Sequence, residues 1–536
     1  MKLQQATLEN KDFWESHHYR LPGFDRTAVV QRTKQTPVWL HLGAGNIFRA
    51  FLGEVQQAML EQGKAQTGII VAEGYDPEII EKAYAPTDNL CLSVKMKADG
   101  RMVKTVVASI TEALRMDPAL ADWERLEEIF RAPSLQMVSF TITEKGYALG
   151  PQAGAFYPGV AADFAAGPQK AETYMGRLTA LCLERFRAGR LPVALVSMDN
   201  CSHNGDRLKQ AVWEYARRWE EAGLTETGFY AYVSNPAYVS FPLTTIDKIT
   251  PRPDPQVQQM LQQDGLESME PVITARKTYV APFVNAEEAQ YLIIEDAFPN
   301  GRPVLDAPGV QYTTRDIVNR FERMKVCTCL NPLHTTLAVY GCLLGYTRIS
   351  EEMKNPLLSG LIRRMAYEEA LPVVTDPGIV SPKAFLEEVL TERLVNPYIP
   401  DTPQRIATDT SQKLPIRFGE TIKAYATPDK VAKLRWIPLA IAGWCRYLLA
   451  VDDAGQPMEL SPDPLLPQLR AQLDGIRPGE PCDVHAVLAP ILSNAAIFAV
   501  DLYQAGLASR VEAYFAELLQ GPGAVRNTLE KYVSQS

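Results

Sequence analysis

Val38-Trp-Leu-His-Leu42 runs directly into Gly43-Ala-Gly45-Asn-Ile-Phe48, and no other feature of the chain limits its fold so tightly. The first five residues predict a short buried strand. After the glycines, Ile47, Phe48, Phe51, Leu52, Val55 and Met59 recur at three- and four-residue steps, the spacing of one helix face. Strand, glycine turn and helix in that order form the opening unit of an α/β sheet. Further apolar runs at 68–72, 104–110, 135–142, 193–198, 229–233 and 291–294 read as strands, with helices between several of them, for example at 172–187 and 206–222. Near-continuous apolar strands separated by helices predict a mostly parallel sheet covered on both faces.

From about residue 305 the texture changes. Amphipathic stretches at 332–346, 381–394, 431–451, 484–505 and 508–519 take over, broken by Pro/Gly/Asp-rich loops at 298–309, 397–403 and 461–467. The sequence thus predicts an α/β fold: a Rossmann-type, doubly wound, mostly parallel sheet over 1–305, followed by a mainly α-helical C-terminal domain over 306–536. At 536 residues the chain is too long for one ordinary core, which agrees with two domains. Residues 1–35 form an N-terminal extension, and Phe13-Trp14 and Tyr19 predict that it packs onto the body.

Composition removes several classes of function. Hydrophobic residues at 46% and charged residues at 22% are globular proportions. A net charge of −9 argues against a sequence-independent grip on nucleic acid or an anionic membrane. No uninterrupted apolar run reaches the roughly 18 residues of a membrane span. The eight cysteines are scattered and no signal peptide opens the chain, so reduced thiols in a cytoplasmic protein are expected. Cys327-Thr-Cys329 with His334 lacks a second cysteine pair at ligand spacing, and no metal is expected. No extended heptad is present; a monomer or small homo-oligomer is expected.

Two places carry candidate chemistry. Gly43, Gly45, Asn46, Ile47 and Phe48 lie where a dinucleotide pyrophosphate would sit, on backbone N–H groups at the positive end of a helix dipole. Glu73 ends the second predicted strand, where a carboxylate accepts ribose hydroxyls and repels a 2′-phosphate, favouring NAD over NADP. From the residues alone, a plain tight turn and a solvated turn carboxylate are the competing readings. The second place is Lys325-Val-Cys-Thr-Cys-Leu-Asn331-Pro-Leu-His334, where a lysine, an asparagine and a histidine lie amid apolar sequence. Burial lowers an ammonium pKa, and moving it from about 10.4 towards 7 needs roughly 4–5 kcal/mol, within reach of desolvation. Such a lysine can both give and take a proton, although a lone core histidine is usually just hydrogen-bonded. Asn331-Pro332 predicts a helix start with Asn331 as its cap, which leaves Lys325 in the preceding segment.

Six segments in order resemble the long-chain polyol-specific dehydrogenase family, over about 38–530. They are the loop from His41 to Ala50; Thr141-Ile-Thr-Glu-Lys-Gly-Tyr147; Asp199-Asn200 with Asn204-Gly205; Phe241-Pro242 with Asp247-Lys-Ile-Thr-Pro251; the stretch from Ile294 to Pro303 leading into Lys325–His334; and Asn396-Pro397, Asp401 and Arg405 with Ser411-Gln-Lys413-Leu-Pro415. The resemblance implies that Lys325 is the general acid/base and that Asn200 and Asn331 hydrogen-bond the developing alkoxide. It implies further that His334 and Asp247 position neighbouring hydroxyls, that Arg405 and Lys413 hold the far end of the substrate, and that Thr143 belongs with the cofactor residues. The implied cofactor is NAD, and no metal is needed. The implied reaction is hydride transfer between nicotinamide C4 and a ketose-type carbonyl of an open-chain sugar acid or polyol, in a cleft between the domains. D-fructuronate/D-mannonate is the first choice, with tagaturonate/altronate and mannitol/fructose as alternatives. A catalytically silent NAD-binding sensor is the alternative of another class. The chain departs from the family pattern in the spacing of lysine and asparagine. Asparagine follows the lysine by five residues in the family; here Leu330 stands there and Asn331 comes one later. Either a π-turn or a break in the helix before Asn331 must absorb the extra residue. Pro332 replaces a glycine, and Ile47, Phe48 and Phe51 replace an aromatic and two histidines.

Overall fold

Trp39–Leu42, the run ahead of the glycine turn, is the first strand, β1, of a six-stranded sheet. In the computed structural model, which describes residues 1–152 and 154–534, its companions are β2 (Ile69–Glu73), β3 (Ile110–Arg115), β4 (Met137–Phe140), β5 (Val193–Ser197) and β6 (Val239–Ser240). They lie in the order β3-β2-β1-β4-β5-β6 with every neighbouring pair parallel. The chain winds outward from β1 to β3, then crosses back and winds outward on the other side. The switch point therefore lies between β1 and β4, where Leu42 stands opposite both Ala72 and Phe140. Every residue of β1, β2, β4 and β5 is buried, as a sheet covered on both faces requires. Alternate residues feed two cores. Leu40, Leu42, Val138, Phe140 and Leu195 pack with helices Tyr174–Arg187 and Asn204–Glu221. Trp39, Val71, Met137 and Val196 pack with Phe48, Phe51, Leu292 and Ile294. The Rossmann-type sheet followed by a helical part is the architecture expected.

Two of the expected strands are corrected. The run at 104–110 belongs to two sheets: Met102–Val107 pairs with Cys91–Met96 and Tyr19–Arg20, whereas Ile110 begins β3. Between them Gln57 accepts the Ala108 N–H (2.7 Å) and Arg26 donates to the Ala108 carbonyl (3.2 Å), which takes Ala108 out of the ladder. Residues 229–233 are helical (Phe229–Ser234), because the Glu220 carboxylate accepts the N–H groups of Gly228 and Tyr230 and caps a helical turn. The run at 291–294 is a strand of a smaller sheet, Thr244–Asp247 with Tyr291–Glu295 and Val310–Thr313. The extension packs as predicted: Trp14 is fully buried, the Tyr19 hydroxyl donates to Asp264 (2.7 Å), and Tyr19–Arg20 adds a strand beside Lys104 and Thr105.

Residues 1–318 and 319–536 form two compact units, and the boundary falls inside the helix Arg315–Arg323. The second unit is built around helices Asn331–Leu343 and Trp436–Tyr447, where Gly443 leaves room for the Tyr340 ring and the Tyr340 hydroxyl reaches the Leu439 carbonyl (2.8 Å). Four of its turns are π-helical: Met324–Cys329, Met365–Ala370, Val389–Arg393 and Pro415–Gly419. The stretches expected at 431–451 and 484–505 are each divided, by the breaks after Val431 and Leu492. Among the described residues no helix is long and apolar enough to cross a membrane, and all eight cysteines are free thiols.

Candidate functional site

The first unit gathers its candidate residues at the carboxyl ends of β1, β2, β4 and β5. Gly43 leaves β1 with φ +113°, and a Cβ there would lie 2.4 Å from the Thr141 carbonyl oxygen, so only glycine lets β1 and β4 part so closely. At Gly45 a Cβ would meet nothing within 4 Å; the turn is open on that side. The helix begins at Asn46, and the Arg49 N–H donates to the Gly45 carbonyl (3.3 Å) as its first i→i+4 bond. The first-turn N–H groups before it lack an i→i+4 partner of this kind. An open cradle of glycine and helix-start N–H groups fits a pyrophosphate.

The side chains around the turn are committed to holding it. Asn46 donates to the Pro251 carbonyl (3.1 Å) and accepts from Arg49 (2.8 Å). Phe48 is fully buried and stacks on His41 (4.3 Å, 6°), so its side chain is core and only its backbone borders the cradle. His41 bridges Ser139 and Thr141 on β4 and the loop after it (2.7 and 2.8 Å), and burial pushes its pKa down to about 3. Ile47 is half-buried at the helix start. Glu73 ends β2 as expected, but its oxygens accept the N–H groups of Ala44 (2.8 Å), Tyr75 (2.7 Å) and Asp76 (3.1 Å). Burial raises its pKa and those three bonds pull it back. Three donors on a carboxylate with about four acceptor positions leave one for a ribose hydroxyl, not two.

Thr143 carries the sharpest backbone constraint in this half. Its φ of +68° with ψ 159° is a conformation nearly reserved for glycine, and here a β-branched residue holds it. Asp199 imposes it by accepting the N–H groups of Ile142 (2.9 Å) and Thr143 (2.8 Å) and the Tyr147 hydroxyl (2.5 Å). Asn200, next along, is exposed beyond β5. Asn204, which carried only family likeness in the sequence, is fully buried and ties the Asp199 carbonyl (3.0 Å) to Thr244 (2.9 Å). It thereby fixes the Asp199-Asn200 loop to the strand that ends in buried Asp247.

In the second unit the extra residue between Lys325 and Asn331 is absorbed by both devices at once. The Leu330 N–H donates to the Lys325 carbonyl (3.1 Å), closing an i→i+5 turn that holds one residue more than an α-turn. Leu330 then leaves helical geometry (φ −129°, ψ −64°), and the next helix starts at Asn331. Asn331 is therefore the first helical residue rather than the cap; Leu330 takes the cap position without a side-chain bond. Lys325 is buried at 2% exposure, and its turn packs against the helix of Asn331 and His334. Asn331, His334 and Thr335, at i, i+3 and i+4, share one face of that helix. His334 Nε2 is a buried nitrogen without a hydrogen-bond partner, 3.5 Å from the Asp401 carboxylate, and burial pushes the imidazole pKa down to about 4. A neutral ring with an unused nitrogen suits a substrate hydroxyl.

The two cations expected at the far end are already engaged. Arg405 is mostly exposed and its guanidinium pairs with Asp401. Lys413 donates to the carbonyls of Ile406 (3.2 Å) and Thr408, and burial, with Arg417 nearby, lowers its pKa to about 8. Arg417 itself went unmarked in the sequence: a single arginine two residues past the Ser411–Pro415 segment carries no pattern. Its guanidinium donates to Thr335 Oγ1, beside His334. Among the described residues, no three His, Cys, Asp or Glu side chains come together to hold a metal ion.

Sheet order, glycine cradle and a separate helical unit define a Rossmann-type dinucleotide-binding protein with a second, helical half. Residues 38–307 match the mannitol dehydrogenase Rossmann domain and residues 317–519 the mannitol dehydrogenase C-terminal domain. The chain belongs to the mannitol dehydrogenase family. It is 51% identical over 539 aligned residues to a D-mannonate oxidoreductase of Thermotoga maritima, covering 100% of this chain and 99% of that protein. A mannitol 2-dehydrogenase of Cereibacter sphaeroides is 29% identical, with 92% and 96% covered. Among solved structures, the Pseudomonas fluorescens mannitol 2-dehydrogenase ternary complex with NAD and D-mannitol superposes with a TM-score of 0.69 at 24% identity, each chain fully covered. A substrate-free D-sorbitol dehydrogenase gives 0.79 at 22% identity, with 96% and 97% covered. At these identities the likeness is one of fold.

Proposed function

We propose that the chain is an NAD-dependent oxidoreductase that interconverts a ketose-type sugar acid and its alcohol, in the first place D-fructuronate and D-mannonate. The observation that carries this is the buried ammonium of Lys325, held by a wide turn against the helix face that bears Asn331 and His334. The 51% identical relative named D-mannonate oxidoreductase supports the choice of substrate. NAD, when bound, supplies the hydride donor or acceptor at its nicotinamide. The glycine cradle at Gly43–Phe48 holds the pyrophosphate, Glu73 takes one ribose hydroxyl, and the Thr143 loop borders the same opening.

Lys325 gives a proton to the ketone oxygen during reduction and takes it from the alcohol during oxidation. Asn331 and Asn200 donate N–H bonds to that oxygen as it gains charge, and preorganised donors of this kind lower the barrier most in a dry site. His334 and Asp247 orient the adjoining hydroxyls. Lys325→Ala tests the assignment: NADH binding, followed by fluorescence titration, persists while reduction of D-fructuronate falls by about 10²–10⁴-fold. Equal turnover by wild type and variant would remove Lys325 from the reaction. Wild-type preference for D-fructose or D-tagaturonate over D-fructuronate would move the substrate to that alternative, and no turnover of any of these ketoses would favour the silent sensor.

A further inference from the structure

Three cations of the second unit, Arg417, Arg405 and Arg393, act on the titration of His334, and Lys413 titrates under the influence of Arg417 and Arg405. Asp401 is the carboxylate that answers them at His334, and it is paired with Arg405. Arg417 differs from the two cations that the family resemblance points to. Among the described residues it has no carboxylate partner; of its five N–H donors one is used, on the hydroxyl of Thr335. Burial alone shifts its pKa, down to about 10, so the group stays charged at neutral pH. Arg417 is half-buried, and the donors it leaves unused still reach the surface, where an anion can meet them. Two fully buried arginines of this chain are satisfied differently: Arg185 donates to the carbonyls of Phe130, Ala132, Leu135, Leu191 and Pro192, and Arg446 to those of Leu518, Val451 and Asp452. Arg417 has no such cage.

We propose that Arg417 is the receptor for the substrate's carboxylate and the residue that makes this site select a sugar acid over a neutral ketose. The inference rests on the assignment of Lys325, Asn331 and His334 made above. Its geometry follows from the helix. Arg417 docks at Thr335, four residues beyond Asn331 on the same face, a rise of about 6 Å. In D-fructuronate the carboxyl carbon lies four carbon–carbon bonds from the ketone carbon, an extended span of the same order. With the ketone oxygen at Asn331, the carboxylate therefore reaches the level of Thr335, and the planar fork of Arg417 presents paired donors to its two oxygens. The wide turn Pro415–Gly419 that carries Arg417 packs against both the Lys325 turn and the Asn331–Leu343 helix, so acid/base, amide and receptor are mutually fixed within one unit.

Arg417→Gln and Arg417→Lys test this, each compared with wild type on D-fructuronate and D-fructose. The uronate-to-fructose ratio of kcat/KM is expected to fall by about 10²-fold in Arg417→Gln, carried by KM for the uronate, and by less in Arg417→Lys, which keeps the charge without the fork. NADH titration and the melting temperature report whether the variants fold. Calorimetric binding of D-mannonate and D-mannitol to the NAD-loaded protein gives the same comparison without turnover: mannonate binding weakens in Arg417→Gln and mannitol binding changes far less. Equal losses on both substrates, or an unchanged uronate KM, would overturn the assignment of Arg417. Failure of wild type to reduce any ketose would instead strike the proposed function, and the binding comparison would still decide Arg417.

Discussion

Glu352 has no place to put a charge. It is fully buried, neither carboxylate oxygen has a hydrogen-bond partner, and Gly341 comes so close that a Cβ there would lie 2.1 Å from Oε1. Burial raises its pKa from 4.5 to about 9, so it is a neutral acid at physiological pH. The unfolded chain loses this proton near 4.5 and the folded chain only near 9. Between those values the folded state keeps a proton that the unfolded state has lost, and rising pH favours unfolding by up to about 1.4 kcal/mol per pH unit. Glu352→Gln removes the linkage. Its melting temperature relative to wild type is expected to rise steadily from pH 5 to pH 9; a constant difference would mean that Glu352 is ionised in the fold. At this scale the sequence was informative where polar residues interrupt an apolar run. Lys325, Asn331 and His334 stood out for that reason; Lys325 is buried, and His334 is partly buried with its Nε2 closed off from solvent. Arg417 did not stand out, because a lone arginine is ordinary in any polar stretch and the absence of a partner is a fact of three dimensions. Glu73 was located correctly, but the three N–H groups that occupy it come from local backbone geometry with no residue signature.

At the scale of elements, the six-residue spacing from Lys325 to Asn331 announced an irregularity, and the chain resolves it with an i→i+5 turn and a break at Leu330. Inserting an alanine after Val326, the half-buried residue of that turn, adds a second residue that one wide turn does not hold and would rotate Lys325 by about 100° from its present direction. If Lys325 moves the proton, reduction of the ketose is expected to fall at least about 10²-fold while NADH binding is kept, since small misplacements of a catalytic group cost that much. Full activity of the insertion variant would make the register of Lys325 incidental. Elements that were misread share one cause. Apolar residues at 104–110 and 229–233 satisfy the strand pattern, but side chains far away in sequence, Gln57 and Arg26 in one case and Glu220 in the other, decide where the ladder stops or the helix begins. β6, with two residues, is too short to leave any pattern.

For the molecule as a whole, the parallel sheet and its helical sequel were legible because buried parallel strands must be apolar throughout and covering helices must be amphipathic. The strand order was not, since several orders satisfy the same pattern. That order puts the Gly43 turn at the switch point, and coenzyme binding should consequently be felt by the stability of the first unit. NADH at a hundred times its Kd is expected to stabilise wild type by about 2.7 kcal/mol, seen as a rise in melting temperature. Gly43→Val should lose most of that rise, because its side chain would meet the Thr141 carbonyl. An equal rise in both proteins would place the coenzyme elsewhere. The solitary bond of Arg417 has a practical corollary for anyone handling the purified enzyme. On the role proposed for Arg417, sulfate or phosphate from an assay buffer is expected to compete for the fork, and Michaelis constants measured in such salts would then describe the competition as much as the sugar.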